Sequence, residues 1–203
     1  MYLQTLQTER SEMDLTNTTT LIIVAVLALV VGGLLGMAVM RAQRTKRLKD
    51  RFGPEYEHTM ERAGDKRHAE RELEERIEHV HQLNIRPLSE EEVNRYSLEW
   101  QETQREFVDE PLAALQKADR LIREVMKARG YPVEDFEQRV ADISVDYPEL
   151  VSDYRGMHRI AIKEKGNVDT EEMRQAMVHG RALFENLITQ KTRDDQVNQK
   201  ERI

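Results

Sequence analysis

The chain has 203 residues, of which 34% are charged and none is cysteine, so disulfides, thiolate metal sites and cysteine nucleophiles are excluded. The charge is unevenly distributed. Residues 1–51 hold seven basic and four acidic side chains, a net charge of +3. Since the net charge of the whole chain is −7, residues 52–203 carry −10. An acidic body repels phosphate backbones, so we predict no role in nucleic-acid binding.

An apolar stretch, 21–40, contains twenty uncharged residues, twelve of them Leu, Ile or Val. Twenty residues at helical rise span about 30 Å, the thickness of the hydrocarbon core of a bilayer. We therefore predict a single transmembrane helix over 21–40, preceded by a short polar extracytoplasmic N-terminus, 1–20. The alternatives are a cleaved signal peptide, whose apolar region is normally shorter and preceded by basic residues, and an unusually long buried helix.

A basic juxtamembrane segment, 41–53, follows this stretch, with six cationic side chains: Arg41, Arg44, Lys46, Arg47, Lys49 and Arg51. Cytoplasmic flanks of membrane helices are rich in Lys and Arg, which predicts an external N-terminus and a cytoplasmic C-terminal domain at the inner membrane of a bacterium. The same side chains can attract anionic membrane lipid. The simpler interpretation is that they only fix topology, as any single-pass anchor requires.

Three small residues within the apolar stretch, Ala28, Gly32 and Gly36, recur every four positions and therefore share one helix face. This spacing permits close approach of two helix backbones and is typical of membrane-helix packing. It predicts a homodimer contact, although apolar spans are generally rich in Gly and Ala. The chain therefore has a protein partner, or a second copy of itself, among its expected partners.

The pattern of residues 54–84 predicts a charged, stalk-like helix with coiled-coil character. Pro54 can open this helix at its first position. An apolar stripe runs along it, at Tyr56, Met60, Ala63, Ala69, Leu73, Ile77 and Val80. Gly64 and Asp65 interrupt the stripe, so the segment is either one bent helix or two short ones. We expect the stripe to be exposed and to serve as a seam for a partner or for self-association.

Residues 85–190 predict a helical bundle domain, and residues 191–203 a disordered tail. Ser89 and Glu92 form a capping box, behind which the only tryptophan, Trp100, lies on a buried stripe. Pro111 restarts a helix that Gly130 ends. Later apolar positions recur at helical spacing, and no segment shows convincing strand alternation. The predicted fold class is therefore all-α, a transmembrane helix followed by a multi-helix bundle.

The residues that could carry chemistry form no recognisable motif for a nucleophile, a phosphate loop or a dinucleotide. Two Glu-x-x-His pairs, Glu55 with His58 and Glu78 with His81, resemble half of a di-iron ligand set. In a segment so rich in Glu such pairs arise by chance, so we predict no metal, no cofactor and no catalytic residue. His158 lies near an apolar stripe and is interpreted as a hydrogen-bonded residue at the core boundary.

Five short runs of the chain resemble a group of bacterial proteins classed as hypothetical membrane or secreted proteins: RFGPEY at 51–56, IRPLS at 85–89, RGYPV at 129–133, DFEQR at 135–139 and RQAM at 174–177. The similarity covers residues 50–190. It implies a bacterial origin and a plan of one anchor followed by one domain. It implies no activity, cofactor or site residue.

These observations predict a membrane-anchored scaffold or adaptor that presents a cytoplasmic helical domain to a partner protein, with no small-molecule substrate evident. Anchoring would raise the effective concentration of the domain near other membrane components. Three alternatives remain open: an anchored extracytoplasmic domain, an enzyme that lacks a recognisable motif, and a lipid-binding regulator that acts through the basic segment.

Overall fold

The computed structural model describes Leu27, residues 29–163 and residues 168–189. All regular secondary structure in these residues is helical, which confirms the all-α fold class. The chain divides into two compact units, Met1–Arg47 and Leu48–Ile203. The predicted N-terminal segment, 1–20, and the predicted tail, 191–203, lie outside the described residues.

The first unit contributes residues 29–47 of helix α1, whose remaining residues, 48–52, belong to the second unit. Nine large apolar side chains between Leu27 and Met40 are exposed, from 49% at Met37 to 77% at Leu29. Residues 21–26 and Ala28 of the predicted span lie outside the described residues. Within the part of the chain that is described, no helix combines the length and the apolar character needed to cross a membrane.

Seven further helices and one 3₁₀ turn follow among the described residues of the second unit, in the order α2 (Pro54–Ala63), α3 (Lys66–Gln82), α4 (Glu90–Glu106), α5 (Pro111–Arg129), α6 (Phe136–Asp146), the 3₁₀ turn Pro148–Leu150, α7 (Val151–Ala161) and α8 (Thr170–Thr189). Local chemistry sets several boundaries as predicted. Ser89 and Glu92 form the reciprocal capping box of α4, Pro111 opens α5, and Gly130 ends it in the left-handed conformation.

Of the two arrangements predicted for residues 54–84, one bent helix or two short ones, the structure shows two helices. Gly64 adopts a left-handed conformation at φ 67°, and the Asp65 side chain accepts a hydrogen bond from the His68 N–H to cap α3. Helix α3 packs against α2, since Tyr56 near the start of α2 donates a hydrogen bond to Glu70 and the neighbouring Glu55 accepts one from Arg76. Both helices belong to the second unit, where α3 also contacts α6.

The core of the second unit consists of two groups of buried side chains. The larger joins α4 to α8, and in it the Trp100 ring stacks on Phe184 with centroids 4.4 Å apart. The smaller contains Leu48, Phe52, Tyr56, Leu73, Val80 and Val145. The stripe that we expected to be an exposed seam is therefore buried at its main positions. The reason is that residues 48–52 of α1, together with α3 and α6, cover it within the same unit.

Candidate functional site

The six predicted basic residues divide between the two units. Arg41, Arg44, Lys46 and Arg47 are exposed in the first unit. Lys49 and Arg51 are exposed in the second, where the Lys49 ammonium lies 2.9 Å from the Glu57 carboxylate. Lys49 thus has an intramolecular partner, which lowers its availability to lipid.

The small-residue stripe is only partly described. Ala28 lies outside the described residues, while Gly32 and Gly36 are helical and exposed. A β-carbon added at either glycine would meet no atom within 4 Å. Neither glycine is therefore required by packing among the described residues, and the predicted helix dimer stays a prediction.

A buried ion cluster links α2, α3 and α7 of the second unit. The Glu55 carboxylate, only 3% exposed, accepts hydrogen bonds from Arg76 at 3.0 Å and from Arg155 at 2.6 and 2.9 Å. Arg76 also donates to Ser144 at 3.0 Å and to Glu72 at 2.7 Å. Burial opposes ionisation of Glu55, but the two guanidinium groups outweigh it and hold its pKa below the ordinary value. The Arg155 contact is bidentate, so this guanidinium is held in one orientation.

A pocket of about 290 Å³ lies beside this cluster, between the start of α2 and the segment from Pro148 to α7. Its ionisable lining residues are Glu55, His58, Arg155 and Arg159, and the rest of the lining is Pro54, Pro148, Ser152 and Gly156. With His58 neutral, these side chains sum to +1. The pocket is therefore locally cationic although the surrounding domain is acidic.

A second polar pair lies where α3 meets α6. The Asp142 carboxylate is fully buried, accepts a hydrogen bond from Gln138 at 2.8 Å and lies 3.6 Å from Nε2 of His79. Its Oδ2 has no hydrogen-bond partner among the described residues. Burial raises the pKa of Asp142 above its ordinary value, against the smaller opposing effects of Gln138, His79 and Arg76.

Other buried polar residues form hydrogen bonds within the bundle. His158 lies at the core boundary as predicted, with Nδ1 3.0 Å from Asp119 and its ring stacked on Phe136 at 3.8 Å. Arg129, 2% exposed, donates to the carbonyl of Leu187 at 2.9 Å and to the Tyr147 hydroxyl at 3.1 Å. These groups satisfy one another, which is typical of structural networks.

The two Glu-x-x-His pairs are not brought together as ligands. Glu55 is occupied by two arginines, whereas Glu78 accepts a hydrogen bond from Gln82 on the exposed side of α3. Within the described residues no three His, Cys, Asp or Glu side chains are grouped so that they could hold a metal ion. This finding gives no support to a di-iron interpretation of the pairs.

Sequence reasoning missed the ion cluster and the pocket. Glu55 and Arg155 are separated by 100 positions, and no local spacing connects them. Arg76 belongs to a helix so rich in Glu and Arg that its pattern indicates a solvated surface. The one local signal was Gly156, a glycine inside an otherwise regular helical pattern, which often has a packing or functional reason.

The fold and the site therefore define an all-α protein with a buried ion cluster beside a cationic pocket. No family model, no curated protein and no solved structure matches the chain.

Proposed function

We propose that the protein is a single-pass, membrane-anchored scaffold or adaptor, in which residues 21–40 lie in the bacterial inner membrane and the second unit is presented in the cytoplasm to a partner protein. The proposal also retains the bacterial origin and the anchor-plus-domain plan implied by the resemblance. The mechanism is tethering, which raises the local concentration of the helical unit near other membrane components.

The observation that carries the proposal is the exposure of apolar side chains in residues 27–40. Nine of the 13 exposed large apolar side chains among the described residues lie there, and the other four are scattered over the second unit. Monomeric proteins in water rarely present a contiguous apolar surface of this kind. A lipid environment would remove the free-energy cost of exposing these apolar side chains to water, because every side chain of a single membrane-spanning helix can face acyl chains.

The charge pattern supports the proposed orientation. Arg41, Lys46 and Arg47 are exposed and have no ion pair in the part of the chain that the structure describes, so they are available to the headgroup region. An excess of Lys and Arg next to a span marks its cytoplasmic side. A reporter enzyme that works only in the cytoplasm should be active when it is fused to the C-terminus. Activity of a periplasm-specific reporter at the same position would reverse the orientation.

The scaffold role is tested by chemical crosslinking in intact cells, comparing the wild-type chain with a variant that carries Leu34→Asp and Leu35→Asp. Both leucines are more than 60% exposed, so the changes remove membrane affinity without touching the core of the second unit. We expect the variant to lose the membrane-located crosslinked partners of the wild type. An unchanged set of partners would contradict tethering.

A matched control carries Leu98→Asp and Val108→Asp in the second unit. These residues are 65% and 81% exposed, so the control makes the same kind of change on a surface that we do not assign to lipid. We expect it to stay in the membrane fraction, which separates loss of the anchor from a general effect of added charge.

A further inference from the structure

Gly156 is unusual among the described glycines of the second unit. Gly53, Gly64 and Gly130 have positive φ values that favour glycine, and a β-carbon at Gly180 would clash with Met157. Gly156 lies within α7 without a positive φ, and a β-carbon there would meet nothing within 4 Å. Glycine inside a helix is less stable than alanine by roughly 1 kcal/mol, and neither backbone nor packing explains its presence here.

The space left open at Gly156 is the cationic pocket. Gly156 is one of the residues that line it, between Arg155 and Arg159 on the same helix. Any larger side chain at position 156 would project into this space. The missing side chain therefore keeps the pocket open at the point where the two guanidinium groups flank it.

Two basic side chains of the pocket are available to a ligand. Arg159 and His58 are exposed, and neither forms a hydrogen bond or an ion pair with any residue that the structure describes. Arg155 is held by Glu55, whose two carboxylate oxygens already accept hydrogen bonds from arginine. The pocket thus combines one fixed guanidinium, one free guanidinium, an imidazole and the hydroxyl of Ser152.

We infer that this pocket binds the phosphate group of a phosphomonoester. The free guanidinium fork of Arg159 and the hydroxyl of Ser152 match the several acceptor oxygens of a phosphate, which carries more charge than a carboxylate. The side chains of Pro54 and Pro148 provide an apolar wall for the organic part of the ligand. The inference goes beyond the tethering proposal and does not depend on it, since the phosphate can belong to a soluble ester or to a lipid headgroup.

Calorimetric titration of the full-length chain in a non-ionic detergent tests the inference. The probes are glycerol 3-phosphate, phosphatidic acid in mixed micelles and lactate as a carboxylate. We expect saturable binding of at least one phosphate probe and at least about tenfold weaker binding of lactate. Binding of glycerol 3-phosphate identifies a soluble ester and binding of phosphatidic acid alone a headgroup, whereas failure of both, or equal binding of lactate, overturns the inference.

Three variants place the binding in the pocket. Arg159→Gln should weaken phosphate binding by about tenfold or more, as expected when a charged hydrogen-bond donor is removed. Gly156→Leu should abolish binding by filling the space. Arg67→Gln, an equal change at an exposed arginine of α3 outside the pocket, should bind as the wild type does. Wild-type affinity in Arg159→Gln, which leaves no fold contact broken, overturns the inference even if Gly156→Leu fails to fold.

Discussion

Residues 29–40 and helix α5 both carry several large apolar side chains, but these side chains are exposed in the first segment and buried in the second. In α5 the apolar residues recur on one face, and Leu115, Ile122 and Val125 are fully buried. In residues 29–40 the apolar residues occupy all faces and are exposed. A helix with one apolar face finds its partner in the rest of its own domain, whereas a helix that is apolar all round needs a fully apolar environment. The comparison teaches that the pattern of apolar residues, more than their number, decides what covers them.

The largest expected effect is a difference between the two regions in how much a leucine-to-alanine substitution lowers the free energy of unfolding. Leu115→Ala should lower the free energy of unfolding by about 3–4 kcal/mol, because it leaves a cavity in the core of the second unit. Leu34→Ala, the same change at a residue 61% exposed, should change it by less than about 0.5 kcal/mol. Urea unfolding followed by Trp100 fluorescence measures both values. Similar losses in the two variants would contradict the contrast between a buried apolar face in α5 and exposed apolar residues in 29–40.

The ion cluster adds a second contrast, because it places charged side chains in the interior of the second unit, whereas residues 29–40 carry no charge. Arg76→Met should destabilise the second unit by about 3 kcal/mol, at the lower end for a broken buried pair because Arg155 still holds Glu55. The same urea unfolding measures the loss. Arg71→Met, at an exposed arginine of the same helix, is the matched control and should be nearly neutral. A small effect at Arg76 would mean that the cluster is solvated.

Two glycines of the second unit should respond in opposite directions to alanine. Gly130→Ala should destabilise by more than about 1 kcal/mol, since φ is 101° and the added β-carbon would meet the carbonyl of Asn84. Gly156→Ala should stabilise by roughly 0.4–1 kcal/mol, because its helical backbone suits alanine and the space is open. Thermal unfolding of the two variants is the measurement. Loss of stability at Gly156 would show that the pocket is packed more tightly than described.

Substitution of Asp142 should have an effect on stability that depends on pH. Burial raises the pKa of Asp142, so the folded state holds this proton more tightly than the unfolded state does. The stabilisation that comes from holding this proton is fully present below the ordinary Asp pKa of 3.8. It is lost as the pH rises through the raised pKa of Asp142. Asp142→Asn should therefore stabilise by about 1 kcal/mol at neutral pH and gain nothing in acid. Asp109→Asn, at an exposed position, should show no such dependence. Equal gains at both pH values would contradict the assigned cause.

Glu55 should produce the opposite pH dependence. Its pKa lies below the ordinary 4.5, so the stability that its ion pairs contribute is present above that value and is lost as the pH falls through the lowered pKa. Wild-type unfolding midpoints should fall steeply in this acid range. Arg155→Gln should make the fall shallower, because one of the groups that lowers the pKa is removed.

The sequence was most informative where a local rule decides the structure. The capping box at Ser89, the left-handed end at Gly130 and the burial of Trp100 follow from spacing within a few residues, and the structure confirms all three. The pocket could not be predicted, because Glu55 meets Arg155 only after the chain folds. The apolar stripe of α2 and α3 was recognised, but its environment was not, since a stripe does not identify the surface that covers it.

The central claim is that residues 21–40 hold the chain in a lipid bilayer while the second unit folds in water. Alkaline carbonate washing of bacterial membranes that contain the full-length protein tests it most directly. We expect the wild-type chain to stay in the pellet and the variant with Leu34→Asp and Leu35→Asp to be released. Release of the wild-type chain into the supernatant would contradict it.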